Sequence, residues 1–548
     1  MPGIYIIRES RLSSGKEESM KSLRRKEAQE KEIFKRKLLL LAAGLFLLFL
    51  LLFVRREEEG KTEEKTEEQE VQKQESDRKE GKEGEETKQD PKAILPPLSE
   101  TGTIRVLLKT ENYKSVIHKT VSAVLESGEE MQIADKGTGE VLFTGNSFSL
   151  SMEEGEMFLN GEMTADLPDC LLIRRRDGKE TGDRICVTSF QRVSGRPAYE
   201  GNLEIWHSKE GFYLVNELPF ETYLEYVIPS EMPSSYHMEA LKAQAVCART
   251  YACKHLKSYA YPVCEAHVDD SVSYQVYNNT GKTEQTSRAV QETEGEILTE
   301  NGEPVTACYF STSCGATGNE EIWWGKDRTL TPYLEGRFVN PDGGKADLTK
   351  EEVFAEFIRD RDDSAYEAEM GWYRWETQIE GEKLSDNLNK ALKGRYEANP
   401  EAIRTKIGDS WESRETVHIG TIQGIDVLER NEGGAIEKLR IRGEKETIEV
   451  CTEYNVRALL NAKGEEIHKN DGSTVKAGEL LPSACVLITP VFDEAGELSA
   501  WRFEGGGYGH GTGMSQNGAD KMAEAGKTYE EILHFFYSSV DLTKPDEL

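Results

Sequence analysis

The stretch from Leu38 to Val54 reads LLLLAAGLFLLFLLLFV, seventeen residues without a charged side chain. That length lies at the short end for a helix that crosses a membrane. A buried core helix is one alternative, but the run has no polar face at all. A cleaved signal peptide fits badly, because the preceding segment is too long and VRREEE offers no small-residue cleavage site. We therefore predict a transmembrane helix at residues 38–54.

The charges on the two sides of this run predict its orientation. The segment before it, residues 1–37, contains a basic cluster: Arg24, Arg25, Lys26, Lys31, Lys35, Arg36 and Lys37. Such an excess of basic residues favours the cytoplasmic side of a membrane. The sequence thus predicts a single-pass protein of the cell membrane, with a cytoplasmic N-terminal segment and everything after Val54 outside.

Residues 55–100 are almost entirely Glu, Lys, Gln, Gly and Thr. Such a composition has too few apolar side chains to form a core, so it predicts a disordered acidic linker. The whole chain has a formal net charge of −32, from 68 basic and 100 acidic side chains. This balance argues against nucleic-acid binding, which needs basic surfaces that displace counterions.

After the linker the pattern becomes globular and predicts an α+β fold. Residues 101–192 contain alternating segments such as TIRVLLKT, separated by glycine-rich breaks, and predict a β-rich accessory module. Further strands are expected at Gly201–Trp206 and Phe212–Asn216. The C-terminal region predicts a glycine-rich loop followed by helices.

Glu231 lies in VIPSEMPSS, with a proline on each side. We expect a short helical turn at Glu221–Val227 and a longer helix after Pro233, with Ser234 or Ser235 as its N-cap. Glu231 would then lie on the loop that leads into a helix N-terminus. From the residues alone, its simplest role is to stabilise the first turn of that helix.

Four motifs point to a known family. They are NLEIW, FYLVNELPFETYLEYVIPSEMPSSYHMEALKAQAVCARTYA, YFSTSCGATGNEEIWW and GGGYGHGTGMSQNGADKMAEAGKTYEEILHFFY. Together they resemble the stage II sporulation protein D / LytB family. The match runs from about Arg192 to Tyr537, which predicts a catalytic domain at residues 193–548. A charged stretch near 333–415 does not align and is interpreted as an insertion.

The resemblance implies a peptidoglycan lytic transglycosylase that acts in sporulation, on the outer side of a membrane. The family's catalytic acid is the Glu of the EMP motif, which here is Glu231, beside the catalytic helix. The implied reaction cleaves the MurNAc–GlcNAc β-1,4 bond and forms 1,6-anhydroMurNAc. The implied partners are peptidoglycan glycan strands, a cell-wall amidase and a membrane scaffold protein of the engulfment machinery. The alternative is a non-catalytic glycan-binding enhancer of such an amidase.

The chemistry makes one demand on Glu231. A single carboxyl group that first protonates the leaving oxygen must itself be protonated at the outset. A helix N-terminus would favour the ionised form. We therefore expect burial beside Met232, Ile228 or Pro233 to raise the pKa of Glu231.

Six further residues are candidates for substrate binding: Tyr508, His510, Gln516, Gln275, Tyr277 and Arg249. The first three lie in GGGYGHGTGMSQ, where glycines would let the backbone approach a sugar closely. A tight turn is the alternative interpretation of that loop. Gln275 and Tyr277 are equally consistent with a structural strand, and Arg249 with a buried ion pair.

The nine cysteines are scattered, and neither a CxxC nor an HExxH spacing appears. We predict no metal cofactor. The alternative is zinc at Cys314, because some members of the family that resemble this chain at STSCG have a nearby His and bind zinc there. Here CGATGNEE contains no His, so His267 or His510 would have to approach Cys314 in space.

Overall fold

The computed structural model describes residues 102–544, except 165–166, 177–182, 193–194, 278–279 and 321–330. The predicted cytoplasmic segment, transmembrane helix and linker lie outside the described residues. Among the helices that are described, none is long and apolar enough to cross a membrane.

The described chain is α+β, as predicted, and rich in strands. Its helices are α1 Phe220–Glu231, α2 Met238–His255, α3 Glu284–Glu292, α4 Glu351–Arg359, α5 Gly381–Ala398, α6 Glu453–Leu459, α7 Gln516–Glu524 and α8 Tyr529–Phe536. The first strands are β1 Thr103–Leu108, β2 Thr120–Leu125, β3 Met131–Asp135, β4 Val141–Gly145, β5 Ser147–Glu153, β6 Glu156–Leu159, β7 Glu162–Thr164, β8 Cys170–Arg175, β9 Ile185–Val187, β10 Ala198–Tyr199, β11 Asn202–His207, β12 Phe212–Pro219 and β13 Val268–Asp269.

The later strands complete the described chain. They are β14 Ile297–Glu300, β15 Glu303–Pro304, β16 Tyr309–Phe310, β17 Ala316–Thr317, β18 Arg337–Phe338, β19 Trp375–Glu380, β20 Ile403–Ile407, β21 Ser410–Glu412, β22 Ile422–Arg430, β23 Ile436–Gly443, β24 Thr447–Cys451, β25 Glu466–Lys469, β26 Thr474–Lys476, β27 Val486–Phe492, β28 Leu498–Gly505, β29 Met514–Ser515 and β30 Asp541–Thr543.

A seven-stranded sheet crosses the predicted boundary at residue 193. Its order is β13-β1-β12-β11-β8-β3-β4, and a six-stranded sheet has the order β10-β9-β2-β5-β6-β7. β1 runs antiparallel to β12, from Thr103 opposite Pro219 to Leu108 opposite Leu214. Strands from both sides of residue 193 therefore belong to one sheet. The sequence pattern locates strands but not their partners, so the division into residues 101–192 and 193–548 does not follow the sheet.

The first core also crosses residue 193. One apolar cluster contains buried side chains from Ile104 to Val290. β1 is buried at every position from Ile104 to Leu108, because a smaller cluster that includes Leu107 and Val215 covers the other face of the sheet. A continuous apolar run is what a strand covered on both faces requires.

α1 follows β12 without a loop and continues to Glu231, further than the predicted turn at Glu221–Val227. Pro229 lies inside α1, and extended backbone at Met232 ends the helix. α2 begins after His237, whose side chain accepts a hydrogen bond from the Glu239 N–H. The predicted N-cap at Ser234 or Ser235 is therefore wrong, because the chain turns once more before the helix starts.

α2 is buried on both sides. One face packs into the first core and consists of Leu241, Ala245, Ala248 and Ala252. The opposite face packs against α7 and α8 through Ala240, Ala243, Val246 and Cys247. Alanine is the common residue here because its small side chain lets neighbouring elements approach on all sides.

A separate core lies between Trp375 and Phe503. It joins two five-stranded sheets, with the orders β26-β25-β19-β28-β27 and β21-β20-β24-β23-β22. β19 pairs with β28, and β20 pairs with β24. The predicted insertion near 333–415 therefore does not form a unit that ends at residue 415, because β19 and β20 lie within it and find these partners after residue 415.

We predict that a chain that begins at residue 193 does not fold, whereas one that begins at residue 102 does. The shorter chain lacks β1, β3 and β8, so β12 and β11 lose neighbours and the first core is opened to water. Urea unfolding followed by far-UV circular dichroism checks this. A cooperative transition of the shorter chain with the same urea dependence as the longer one would contradict the prediction.

Candidate active site

Glu231 is the last residue of α1, not a residue of a loop that leads into a helix N-terminus. This corrects the expected local environment. The end of a helix at which its carbonyl groups are unpaired carries partial negative charge and disfavours a carboxylate. The helix dipole therefore acts in the same direction as burial, and the two effects do not oppose each other as expected.

The Glu231 side chain is half-buried, and burial raises the pKa of its carboxyl group to about 7. Of its predicted neighbours, Met232 and Ile228 are buried, whereas Pro233 is exposed. Two hydrogen bonds act against burial and lower the pKa. The Val276 N–H donates to Oε1 at 2.6 Å, and the other bond comes from Tyr309. The expected rise in the pKa is therefore present, and near neutral pH the group exists in both protonation states.

Tyr309 is a site residue that the sequence motifs did not single out. Its hydroxyl accepts a hydrogen bond from Gln275 Nε2 at 3.2 Å, which leaves its own proton for Glu231. The Gln275 side-chain oxygen in turn accepts from the Tyr223 hydroxyl at 3.3 Å. Gln275 is buried and bonded at both ends of its amide, so it orients Tyr309 and is closed to substrate. The signal for Tyr309 was present, since it opens the YFSTSCG motif.

His510 holds the backbone of Tyr309. Its Nδ1 accepts from the Thr512 N–H at 3.2 Å, so the proton is on Nε2, which donates to the Tyr309 carbonyl at 2.9 Å. Burial lowers the pKa of His510, which keeps the ring neutral. His510 therefore holds Tyr309 in position. It affects the Glu231 carboxyl group only indirectly, through Tyr309.

The glycines of GGGYGHGTGMSQ allow this close approach. Gly513 has φ +78, and a Cβ there would lie 2.1 Å from the Cys308 carbonyl oxygen. At Gly507, with φ +84, a Cβ would lie 2.9 Å from the Thr312 carbonyl oxygen. Both positions require glycine, because a side chain would push the loop away from the segment that begins at Cys308.

The first turn of α7 closes the other side of the site. Gln516 Nε2 donates to the Glu231 carbonyl at 3.1 Å and to Gln244 at 3.3 Å. Asp520 accepts from the His237 N–H at 2.7 Å, and the Tyr236 hydroxyl donates to Asn517. The turn therefore fixes the backbone at Glu231 and the residues that follow the EMP motif. Gln516 itself is buried and already paired.

A second carboxyl group lies beneath this turn, and no sequence motif indicated it. Glu367 is fully buried, and burial raises its pKa to about 7. It accepts from the Ser313 N–H at 2.9 Å, from the Ser313 hydroxyl, and from the Ser515 hydroxyl at 2.6 Å. These bonds join the STSC segment to the start of α7. Glu367 comes from the stretch that did not align with the family.

The structure does not bring the remaining candidates to Glu231. The Tyr277 ring is buried among aromatic side chains, and its hydroxyl donates to Asn216 at 2.9 Å. Arg249 is buried and binds Glu221 through two hydrogen bonds of 2.8 Å each. Both residues therefore occupy the structural positions that the sequence left open. Tyr508 is exposed and contacts Trp372.

Among the described residues, Cys314 has no set of neighbours that could bind a zinc ion. Its thiol is buried and donates to the carbonyl groups of Ala316 and Gly433, each at 3.7 Å. The adjacent thiol is that of Cys485. Across the described part of the chain, His, Cys, Asp and Glu side chains form no cluster of three or more that could bind a metal. Tetrahedral zinc sites use four such ligands or three with an open position.

We predict that Glu231→Gln stabilises the protein at about pH 8 by about 1–3 kcal/mol and has no such effect near pH 4. The folded-state pKa of Glu231 is raised from 4.5 to about 7, so wild-type stability falls as the pH rises across this window. Glutamine does not ionise, so the variant escapes this loss. Urea unfolding at several pH values measures the difference.

Glu225→Gln is the matched control for this measurement. It removes a carboxylate from the same helix, but one that pairs with Lys282 at 2.8 Å. This variant should gain no stability at the higher pH. Equal stability of Glu231→Gln and wild type at every pH would contradict the prediction.

The chain is similar to known proteins over most of its described length. Residues 208–299 match the family model described as Stage II sporulation protein (SpoIID), and residues 395–513 match a Domain of unknown function (DUF8618). Stage II sporulation protein D of Bacillus subtilis (strain 168) is 25% identical over 405 residues, which are 69% of this chain and 92% of that protein. Stage II sporulation protein D of Bacillus amyloliquefaciens is 27% identical over 384 residues, covering 67% and 87%.

A third relative is named Amidase enhancer, also from Bacillus subtilis (strain 168). It is 28% identical over 326 residues, which are 58% of this chain and 40% of that protein, so the chain spans less than half of its length. The family model covers both α1 and α2 and therefore contains Glu231. The chain is thus similar to the stage II sporulation protein D / LytB family, with the family model matched at residues 208–299.

Proposed function

We propose that this protein is a peptidoglycan lytic transglycosylase with Glu231 as its catalytic residue. It cleaves the MurNAc–GlcNAc β-1,4 bond of glycan strands during sporulation. The observation that supports this most strongly is the half-buried Glu231 carboxyl group, whose pKa of about 7 leaves it partly protonated at neutral pH. A general acid works best when its pKa lies near the working pH.

The reaction needs two proton transfers at one carboxyl group. Glu231 first donates its proton to the bridging glycosidic oxygen, and the bond from that oxygen to C1 of MurNAc breaks through an oxocarbenium-like state. The C6 hydroxyl of the same MurNAc then bonds to C1 and returns its proton to Glu231. The product is a 1,6-anhydro sugar, and no water is consumed. Hydrolytic glycosidases instead use two carboxyl groups on the two sides of the bond.

The neighbours of Glu231 suit these two stages. The Val276 N–H and the Tyr309 hydroxyl both donate to the carboxyl group, and these bonds strengthen when it becomes a carboxylate. They therefore stabilise the intermediate stage of the reaction. Glu367 does not serve as a second catalytic carboxyl group, because it is enclosed and saturated by serine donors.

Location and partners are part of the same proposal. The apolar run at 38–54 and the basic residues before it support anchoring in the cell membrane, with the catalytic domain outside. Peptidoglycan lies on that side, and a cell-wall amidase and a membrane scaffold protein of the engulfment machinery are the proposed partners. The relative named Amidase enhancer favours one second candidate function, a glycan-binding protein that stimulates an amidase without cleaving glycan.

We expect wild-type protein to release fragments with 1,6-anhydroMurNAc ends from purified peptidoglycan, and Glu231→Gln to release none. Mass spectrometry identifies these ends, since they are lighter by one water than hydrolysed ends. The digestion is run with and without a cell-wall amidase. Glu225→Gln, on the same helix, should act like wild type.

The outcomes separate the two candidate functions. Wild-type rates from Glu231→Gln would rule out the catalytic assignment. Amidase stimulation by both wild type and Glu231→Gln, with no anhydro ends from either, would instead establish the enhancer function.

We further expect Tyr309→Phe to move the alkaline limb of the pH–rate profile upward by up to about one pH unit. The Tyr309 hydrogen bond lowers the pKa of Glu231, so its loss raises that pKa and keeps the acid protonated to higher pH. Tyr226→Phe removes a hydroxyl that binds Glu200 and serves as the control. An alkaline limb that stays in place or moves downward in Tyr309→Phe would exclude this role of Tyr309.

A further inference from the structure

Two aromatic rings are in contact at the glycine-rich loop. The rings of Trp372 and Tyr508 have their centroids 4.7 Å apart and are tilted by 36°. The Gly507 N–H donates to the Trp372 carbonyl at 2.8 Å, which fixes the backbones that carry the two rings. Lys469 Nζ lies 5.1 Å from the Trp372 ring centre. Trp372 comes from the stretch that did not align with the family.

Tyr508 is the exposed member of this pair, with 44% of its surface accessible. An exposed ring held rigidly by a second ring loses little freedom when it binds a flat apolar surface. The C–H faces of a pyranose ring are such a surface, and the edges of the sugar carry hydroxyl groups for water or polar side chains. Ligand sites commonly combine aromatic contacts with a few polar groups.

The pair lies on the segment that forms the active site. Tyr508 and Thr312 exchange two backbone hydrogen bonds, of 2.8 and 3.1 Å. Tyr309, which contacts Glu231, precedes Thr312 by three residues, so at most about 10 Å of chain separates them. A glycan strand bound at Glu231 reaches this distance within a few sugar rings.

We propose that Tyr508, held in position by Trp372, stacks against a pyranose ring of the glycan strand a few sugars away from the bond that is cleaved. The inference rests on the proposed function, since it extends the same site along the same substrate. This contact would make binding depend on the length of the glycan. Long strands contact the aromatic pair, whereas a disaccharide bound at Glu231 does not.

Binding is measured with the Glu231→Gln protein, which does not turn over the strand. The probes are peptide-free glycan strands, prepared by amidase digestion of purified peptidoglycan and separated by length, and the disaccharide unit. Tyr508→Ala and Trp372→Ala in this background should each raise the Kd for long strands about tenfold. The Kd for the disaccharide should stay unchanged. Tyr508→Phe should bind long strands like the parent, because stacking needs the ring and not the hydroxyl.

Tyr454→Ala is the matched control. Tyr454 is also 44% exposed, but its ring is covered by the Arg395 guanidinium at 4.6 Å. This variant should bind every fragment like the parent. The proposal is overturned by equal binding of Tyr508→Ala and the parent, by an equal loss for all lengths, by an equal loss in Tyr454→Ala, or by a parent that binds no glycan.

These outcomes are distinguishable from failure of the proposed function. If wild type forms no anhydro ends but Tyr508→Ala still loses affinity for long strands alone, the proposed lytic activity is wrong and the proposed glycan site is correct. If wild type forms anhydro ends and Tyr508→Ala binds like the parent, the aromatic site alone is wrong.

Discussion

The hydrogen bonds at the first turn of α7 hold the site together. Gln516 binds the carbonyl of Glu231, Asp520 binds the backbone of His237, and Asn517 binds Thr312 at 2.8 Å. Nearly three hundred residues separate the two ends of some of these bonds. Glu231 is partly shielded from bulk water because this turn packs on the EMP motif, and burial is what raises its pKa. The acid-base character of the residue is therefore a product of the tertiary fold.

Two carboxyl groups have the same pKa of about 7 for the same reason, yet the structure gives them different uses. Glu231 retains contact with solvent and has two donors. Glu367 is sealed and is bonded to Ser313 and Ser515. Solvent access therefore distinguishes the two groups. Glu231 can exchange a proton with a substrate, whereas Glu367 links two segments of the chain. A perturbed pKa alone would have indicated both as catalytic candidates.

The sequence identified what is local and missed what depends on distant contacts. Burial of Glu231 followed from its apolar neighbours, and the tight glycine loop followed from the glycines themselves. The helical position of Glu231 was not predictable, because Pro229 normally discourages a helix that continues through it. Arg249 and Tyr277 lie within strong motifs, but only the positions of Glu221 and Asn216 show that both are structural. The division at residue 193 was misleading because strand order is a long-range property.

The body between Trp375 and Phe503 positions the site because its last strand leads into the glycine-rich loop. β28 ends at Gly505 and leads directly into the glycine-rich loop. Trp375 Nε1 donates to the Gly507 carbonyl at 3.1 Å, and the Ser483 hydroxyl donates to the Gly506 carbonyl at 2.6 Å. A loop that is rich in glycine is otherwise free to move, so the sheets around it supply the rigidity that its composition lacks. Residues 395–513, which match a domain without assigned function, thus have a structural role. They hold His510 against Tyr309 and Tyr508 against Trp372.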